Sequence, residues 1–437
     1  MTVETVKKIA KSIDIKGGKT YYVGGYVRDK LLGVESKDID IEVHGLSLEE
    51  LENVLKEFGH VKTVGNSFGI LIVKGLDVDF SLPKKVVDGK YVIQIDMGIA
   101  ESMRRRDFTV NAIMQCVLTG EYLDLYGGLT DIKKGVLKAV TENTFKDDPL
   151  RVYRLAQFKS RFGFRVDKDT FEKAKSTEVG NIAIERVNEE FKKGLLKSER
   201  PSVFIDYLKD LGVLEERHRE IYELIGCEQN KGFHPEGDVY THTMMVLDEA
   251  SKLKESVENP YWFMLAALFH DIGKPRSVEE IDGKITTHEH DVIGSEMVKD
   301  ILRKSLTNNR ELIKYVSVLT KNHMRPRWLY PKASKKAFRK LAREGYIEDL
   351  FKLVEADTLG RGGATEEDFK VYKEFFKERM ESLELKEEIH PLVTGKDLID
   401  LGYAPGKELG KVKNMAFELQ LDGYEKEEIL EKIKNFS

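Results

Sequence analysis

Hydrophobic and polar positions follow two periods along this chain, and the change falls near residue 140. Residues 1–12 repeat at helical spacing. Thr20-Tyr21-Tyr22-Val23-Gly24-Gly25 predicts a strand running into a glycine turn, then a short helix to Leu32. Asp38 to Val43 predicts a second strand. Ser47 predicts a helix start, with Glu50 at the capping-box position. Residues 69–73 and 76–81 predict strands joined as a hairpin at Lys74-Gly75. Residues 83–98, with Pro83, Gly89 and Gly98, hold no clear period and predict a mobile loop. Beyond about Val140 the pattern is helical throughout, with breaks near 229–238, 273–287 and 360–364. The fold class expected is α+β, an α/β head of roughly 140 residues followed by an all-helical remainder.

A length of 437 residues favours two to four structural units. A 41% hydrophobic and 34% charged composition is that of a water-soluble globular chain. The net charge of −5 neither announces nor excludes a nucleic-acid partner, because local clustering of the 71 Lys and Arg decides that. Two distant cysteines, Cys116 and Cys227, point to a reduced compartment without a disulfide framework. No apolar run approaches the ~20 residues of a membrane span, and the N-terminus lacks a signal-peptide core. A cytoplasmic location with no membrane partner is expected.

Chemistry concentrates first in GGYVRDKLLGVESKDID, residues 24–40. Asp38 and Asp40 alternate on a strand and so share a face. Convergent carboxylates suit a pair of Mg²⁺ ions holding a nucleoside triphosphate for in-line attack, and the glycines upstream let backbone approach phosphates. A bare Asp-x-Asp is ordinarily a solvated face. Here a later strand offers Asp77 and Asp79, and a third nearby carboxylate would repel the others unless a cation neutralised it. Asp79 is favoured, since it lies just before the strand ends. Arg104-Arg105-Arg106-Asp107 follows, with arginines suited to phosphate and ribose and Asp107 open to a second role as a helix cap.

GGYVRD with DID, then RRRDFTVNAI, then DDPLRVYRLAQF resembles, in order and spacing, the class II tRNA nucleotidyltransferase and bacterial poly(A) polymerase family. The likeness covers about 1–215 and, more weakly, HPLVTGKDLIDLGYAPGKELGKV near the C-terminus. It implies a polymerase-β-like nucleotidyltransferase head (1–140, catalytic), a helical neck that reads the base (141–215), an HD-type helical body (216–365) and an RNA-binding helical tail (366–437). It implies that Gly24, Gly25 and Arg28 contact the triphosphate, that Asp38 and Asp40 hold Mg²⁺, and that Arg105, Arg106 and Asp107 lie by the sugar and phosphates. The family's Glu-Asp-x-x-Arg motif reads Asp147-Asp148-Pro149-Leu150-Arg151 here, with Asp147 in place of the usual Glu. A carboxylate accepting from the exocyclic amine and an arginine donating to the ring nitrogen would select C and A together. Asp148 before Pro149 also has the form of a helix N-cap. Arg154 shares the face of Arg151 and is a phosphate candidate; Arg161 and Arg165 continue a basic strip.

Most of the ten histidines fall in the helical remainder. His242, His270-Asp271, His288, His290-Asp291, His323 and Asp357 give the mixed nitrogen and oxygen shell of a divalent transition metal. Their order resembles the HD phosphohydrolase superfamily, implying His242, His270, Asp271 and Asp357 as ligands, with His290 or His323 assisting, and phosphodiesterase or phosphatase activity on 2′,3′-cyclic phosphates and 2′-nucleotides. The whole implies addition of CMP and AMP from CTP and ATP to a tRNA 3′ end without a nucleic-acid template. Poly(A) polymerase, A-adding and CC-adding relatives share every motif. An HD phosphohydrolase with a regulatory nucleotide-sensing head is the reading from another class, and a non-enzymatic RNA-binding module ranks last. Lys192-Lys193, Lys197, Lys335-Lys336, Arg339-Lys340 and the Lys407 to Lys413 segment are the candidate RNA contacts.

Overall fold

Seven strands make one mixed sheet in the N-terminal unit: β1 (Lys19–Tyr22), β2 (Ile39–His44), β3 (Val61–Val64), β4 (Ile70–Val73), β5 (Val78–Ser81), β8 (Met114–Cys116) and β9 (Tyr122–Leu123), in the order β3-β4-β5-β2-β1-β8-β9. The computed structural model describes residues 2–35, 38–64, 69–87, 90–383 and 390–434. The chain divides into two compact units, residues 1–182 and 183–437. This division is coarser than the four segments expected, and the helices up to residue 175 belong with the head.

The sheet buries Ile41, Val43, Leu71, Val73 and Phe80. Helix Thr2–Ile15 supplies Val6, Ile9, Ala10 and Ile13 at helical spacing, and helix Leu48–Lys56 supplies Leu51, Val54 and Leu55. Each such side chain contributes about 1.5–3 kcal/mol on burial. Ser47 and Glu50 form the expected capping box. β4 and β5 pair antiparallel across Lys74-Gly75, as the hairpin signal indicated.

Two sequence expectations are corrected. Residues 83–98 hold a two-stranded hairpin, β6 (Lys84–Val87) and β7 (Lys90–Ile93), in place of a structureless loop. Residues 88–89 lie outside the described residues. The region beyond residue 140 is not purely helical. Arg165–Val166 pairs with Val136–Leu137, and Val278–Ile281 pairs antiparallel with Lys284–Thr287 inside the break at 273–287.

In the second unit, helix Pro260–Phe269 is apolar on all sides, with Tyr261 and residues 263–269 buried, so neighbours surround it. Helices Val239–Leu253, Arg310–Asn322 and Ile347–Leu359 pack on it. His270 and Asp271 follow directly at its end, where their side chains can diverge from the helical period. The last three helices share their own small core of Val393, Leu398, Ala416, Ile429 and Ile433. Among the described residues no helix is long and apolar enough to cross a membrane.

Candidate functional site

In the head, β2 and β5 run parallel with Asp40 opposite Asp79 and Ile39 opposite Val78. Asp79 is therefore the neighbour of Asp40 on the shared face, while Asp77 is exposed ahead of β5. Asp38 is exposed just before β2, and Asp40 is half-buried. Burial raises the Asp40 carboxyl, and Asp79 and Asp38 add to this against the opposing pull of Arg106. The Asp79 carboxyl is raised by burial and by Asp38. Three oxygen-donor groups that repel one another fit a hard divalent cation.

The glycine turn lies at the same level, because Val23 N–H donates to the Asp40 carbonyl at 3.1 Å. Gly24 has φ +61°, and a Cβ there would sit 3.4 Å from Arg106 Nη1, so both conformation and space favour glycine. Arg106 Nη2 donates to Glu42 Oε2 at 2.8 Å, and Glu42 Oε1 lies 2.8 Å from His44 Nε2. Ser102 Oγ also donates to Glu42. Burial works to raise the Glu42 carboxyl, but Arg106 and the hydrogen bonds from His44 and Ser102 hold it at about 2. Glu42 went unread in the sequence although it continues the Asp38, Asp40 alternation. Lys84 on β6 lies in the electrostatic reach of Arg106, Glu42 and Asp40, with its ammonium pushed down by burial and then by Arg106.

The remaining head candidates are wired to protein. Arg28 is buried, donates to Asp29 Oδ1 (2.8 Å) and Asn111 Oδ1 (2.6 Å), and stacks on Phe158 and Phe162. Arg154 reaches Asp107 Oδ2 through Nε (2.8 Å) and Nη2 (2.6 Å), while Asp107 Oδ1 accepts from Phe108 N and Asn111 Nδ2. Asp107 thus anchors a network and is not the cap of the following short helix, whose N-cap is Phe108. Arg151 gives one N–H from each terminal nitrogen to the carbonyls of Thr144 (2.9 Å) and Arg105 (2.7 Å), which fixes its plane. Asp148 Oδ1 accepts from Leu150 N at 3.2 Å, a local turn rather than the N-cap of helix Arg151–Phe162, which is Leu150. Arg105 is half-buried, 3.8 Å from Glu101. Gly25 lies in the first turn of helix Gly24–Leu31, where a Cβ would sit 3.5 Å from Arg28 Nη2, and Asp147 is exposed.

In the second unit His242, His270, Asp271, His290, His323 and Asp357 are all buried. Asp271 joins two sets: one with His242 and His270, the other with His290 and His323. Its Oδ2 lies 3.2 Å from His270 Nε2 and 3.8 Å from His242 Nε2; its Oδ1 lies 3.3 Å from His290 Nε2 and 3.5 Å from His323 Nε2. Asp357 Oδ1 is 3.1 Å from His242 Nε2. Nδ1 of His270, His290 and His323 faces the carbonyls of Ala267, Thr287 and Thr320 at 2.8, 2.8 and 2.6 Å. A carbonyl only accepts, so Nδ1 carries a proton, and in the neutral ring each Nε2 presents a lone pair. Among the described residues His270 Nε2 makes no well-aligned hydrogen bond, and the Nε2 atoms of His290 and His323 face each other at 3.3 Å. Lone pairs so arranged call for a cation among them.

Three contacts around this cluster were not foreseen. Lys274 Nζ is 2.6 Å from Asp271 Oδ2, and Arg327 Nη2 is 2.9 Å from Asp357 Oδ2. Burial would raise both carboxyls, but His270 with Lys274 at Asp271, and Arg327 with His242 at Asp357, hold them well below the usual range. Glu236 Oε1 lies 2.8 Å from His242 Nδ1, and its Oε2 accepts from Gly362 N. Glu236 sits in the 229–238 break, where nothing in the local pattern distinguishes it from a solvated loop acid. His288 is exposed and apart from the cluster. The basic run at 335–340 is also committed: Lys336 pairs with Asp422 (2.7 Å), Lys340 with Glu418 (3.0 Å), and Arg339 donates to the Leu421 carbonyl.

Residues 20–138 match the Poly A polymerase head domain and residues 239–385 the HD domain. The overall architecture is similar to the Bacillus stearothermophilus CCA-adding enzyme in complex with CTP (TM-score 0.69, 22% identity, 98% of this chain and 96% of that one). It is also similar to the Thermotoga maritima CCA-adding enzyme complexed with tRNA (TM-score 0.58, 21% identity, 98% and 94%). The Multifunctional CCA protein of Neisseria gonorrhoeae is 31% identical over 294 residues, 65% of this chain and 68% of that protein. That of Ralstonia nicotianae is 33% identical over 305 residues, 66% and 68%. With head, HD domain and more than two thirds of these proteins' length matched in one order, the chain belongs to the multifunctional CCA protein family.

Proposed function

We propose that the head adds CMP and AMP from CTP and ATP to the 3′ end of tRNA, with Asp38, Asp40 and Asp79 as the groups that hold Mg²⁺. The observation that carries this is the register of Asp40 with Asp79, beside Asp38 and under the Gly24 turn. Bound Mg²⁺ supplies Lewis-acid neutralisation of phosphate charge and a more acidic primer hydroxyl. The chain's own part is orientation. Gly24 lets backbone approach the triphosphate, and Glu42 holds the Arg106 guanidinium against that turn. The 3′-hydroxyl oxygen attacks the α-phosphorus, and pyrophosphate departs.

For the base, Arg151 is held flat by two carbonyls, and Asp148 lies three positions before it in extended backbone ahead of helix Arg151–Phe162. A carboxylate beside a guanidinium matches the amino group and ring acceptor of cytosine and adenine. Uracil or guanine would set a carbonyl against the carboxylate, at a cost of about 1–3 kcal/mol. Incubation with tRNA ending at its discriminator base tests the assignment. CTP alone should extend it to CC, and CTP with ATP to CCA and no further. Long A-tracts with CTP ignored would replace this reading with poly(A) synthesis. A tRNA substrate supports a cytoplasmic location.

The HD cluster reads as a divalent transition-metal phosphohydrolase centre built from His242, His270, Asp271 and Asp357, with His290 and His323 on the other oxygen of Asp271. Nitrogen and oxygen donors in this mix favour such a metal. A bound metal there activates water for attack on a phosphate ester. Glu236 orients His242, so Glu236→Ala should weaken Mn²⁺ binding about 10–100-fold in a calorimetric titration of the full chain. Unchanged affinity would show that His242 needs no such support.

A further inference from the structure

Asp29 is buried between two arginines, and each of its oxygens takes one of them. Oδ1 accepts from Arg28 Nε at 2.8 Å and lies 2.7 Å from Arg28 Nη2, while Oδ2 accepts from Arg161 Nη2 at 3.1 Å. Arg28 and Asp29 belong to helix Gly24–Leu31, and Arg161 to the last turn of helix Arg151–Phe162. Asp29 therefore ties the helix that opens at the glycine turn to the helix that begins with Arg151.

One stripe of helix Arg151–Phe162 builds a ladder of cations and rings along this tie. The Arg154 guanidinium lies 5.2 Å from the Phe158 ring centre, and that of Arg161 lies 4.7 Å from Phe162. Arg28 lies between them, 5.1 Å from Phe158 and 4.8 Å from Phe162. The three guanidiniums meet two carboxylates, Asp29 and Asp107, so the group keeps an excess of positive charge. Burial lowers the Arg28 guanidinium below its ordinary value against the pull of Asp29, and Arg161 adds to the lowering. Further anionic charge beside Arg28 is therefore favourable.

Arg28 also has the donors to receive it. Asp29 and Asn111 engage one N–H on each of its three nitrogens. A guanidinium carries five, so among the described residues Nη1 and Nη2 each keep a second. A Cβ on Gly25 would sit 3.5 Å from Nη2, which places this nitrogen at the turn where backbone can approach phosphate.

We infer that Arg161 is a positioning residue for nucleotide addition: acting through Asp29, it fixes the Arg28 guanidinium against the Gly25 turn, where Nη2 donates to a triphosphate oxygen. The inference rests on the reading of the head above and adds to it a side chain that touches no substrate.

Arg161→Met leaves Asp29 paired with Arg28, so Tm should fall by no more than about 4 °C. Inorganic tripolyphosphate with Mg²⁺, titrated into the full chain by calorimetry, reads the phosphate contact without tRNA. Arg161→Met should weaken it about tenfold, and Arg161→Lys, which keeps a cation for Asp29, should recover most of the loss. Asp29→Asn should weaken it to the same order, with no further loss when Arg161→Met is added. In steady-state addition the KM for CTP and for ATP should rise by one common factor, with kcat and the KM for tRNA unchanged. Unchanged tripolyphosphate affinity in Arg161→Met, or a loss that adds fully to that of Asp29→Asn, overturns the inference. A rise confined to the KM for tRNA also overturns it and makes Arg161 an RNA phosphate contact. CCA addition by the wild type with tripolyphosphate affinity indifferent to Arg161 keeps the reaction and removes the inference. Tripolyphosphate binding that follows Arg161 and Asp29 in a wild type that adds no nucleotide keeps the placement of Arg28 and removes the reading of the head.

Discussion

Asp40→Asn should lower nucleotide addition about a thousandfold while leaving thermal stability unchanged or slightly higher. The change keeps the shape of the side chain and removes one of three repelling carboxylates, so folding loses nothing. What it loses is a cation ligand. Removing about 4 kcal/mol of the several that metal-bound charge stabilisation supplies corresponds to a factor of about 10³ in rate. Phosphate release at the HD centre should persist in the same variant, because His242, His270, Asp271 and Asp357 are untouched. Single-turnover extension of truncated tRNA, with a melting curve on the same sample, checks both halves. An active Asp40→Asn protein would remove Asp40 from the site, and loss of both activities in a folded protein would contradict separate centres.

Arg154→Met should destabilise the N-terminal unit by about 3–5 kcal/mol, because it leaves the Asp107 carboxylate buried without its guanidinium. For a unit of 182 residues this is a fall in Tm of about 10 °C. The double variant Asp107→Asn with Arg154→Met should recover most of the loss, since replacing both charges is often nearly neutral. The pH dependence follows from the same pair. Burial would raise the Asp107 carboxyl, but Arg154 and Asn111 outweigh it and hold it at about 2, below its unfolded value. A depressed carboxyl contributes stability fully above the unfolded pKa and loses it as pH falls towards 2, here about 2 kcal/mol. The wild type should therefore lose this increment between about pH 4 and pH 2, and the double variant should not. If Arg154 acted on phosphate alone, Arg154→Met would raise the KM for CTP and ATP with no change in Tm.

The carboxylates of the head were legible because a strand has period two, so Asp38 and Asp40 declare a shared face from spacing alone. Asp79 was favoured over Asp77 from its place before the strand end, but its position opposite Asp40 comes from the parallel register with β2, which no local pattern records. The HD cluster was legible as a concentration of histidines after an apolar helix. Its supporting residues were not, because Glu236 and Lys274 look like surface charges until the chain brings His242 and Asp271 to them. The partners of the basic run at 335–340 were hidden for the same reason: Lys336 meets Asp422, 86 positions away. The hairpin of β6 and β7 was missed because Lys84-Lys85-Val86-Val87 does not alternate.

The central claim is that Asp38, Asp40 and Asp79 gather the cation that carries the triphosphate. Crystals soaked with Mn²⁺ and CTP test it through anomalous scattering. The account expects a manganese peak bridging these carboxylates and the CTP phosphates, absent from Asp38→Ala/Asp40→Ala crystals. Phosphates ordered elsewhere, or a peak that survives the double substitution, would contradict it.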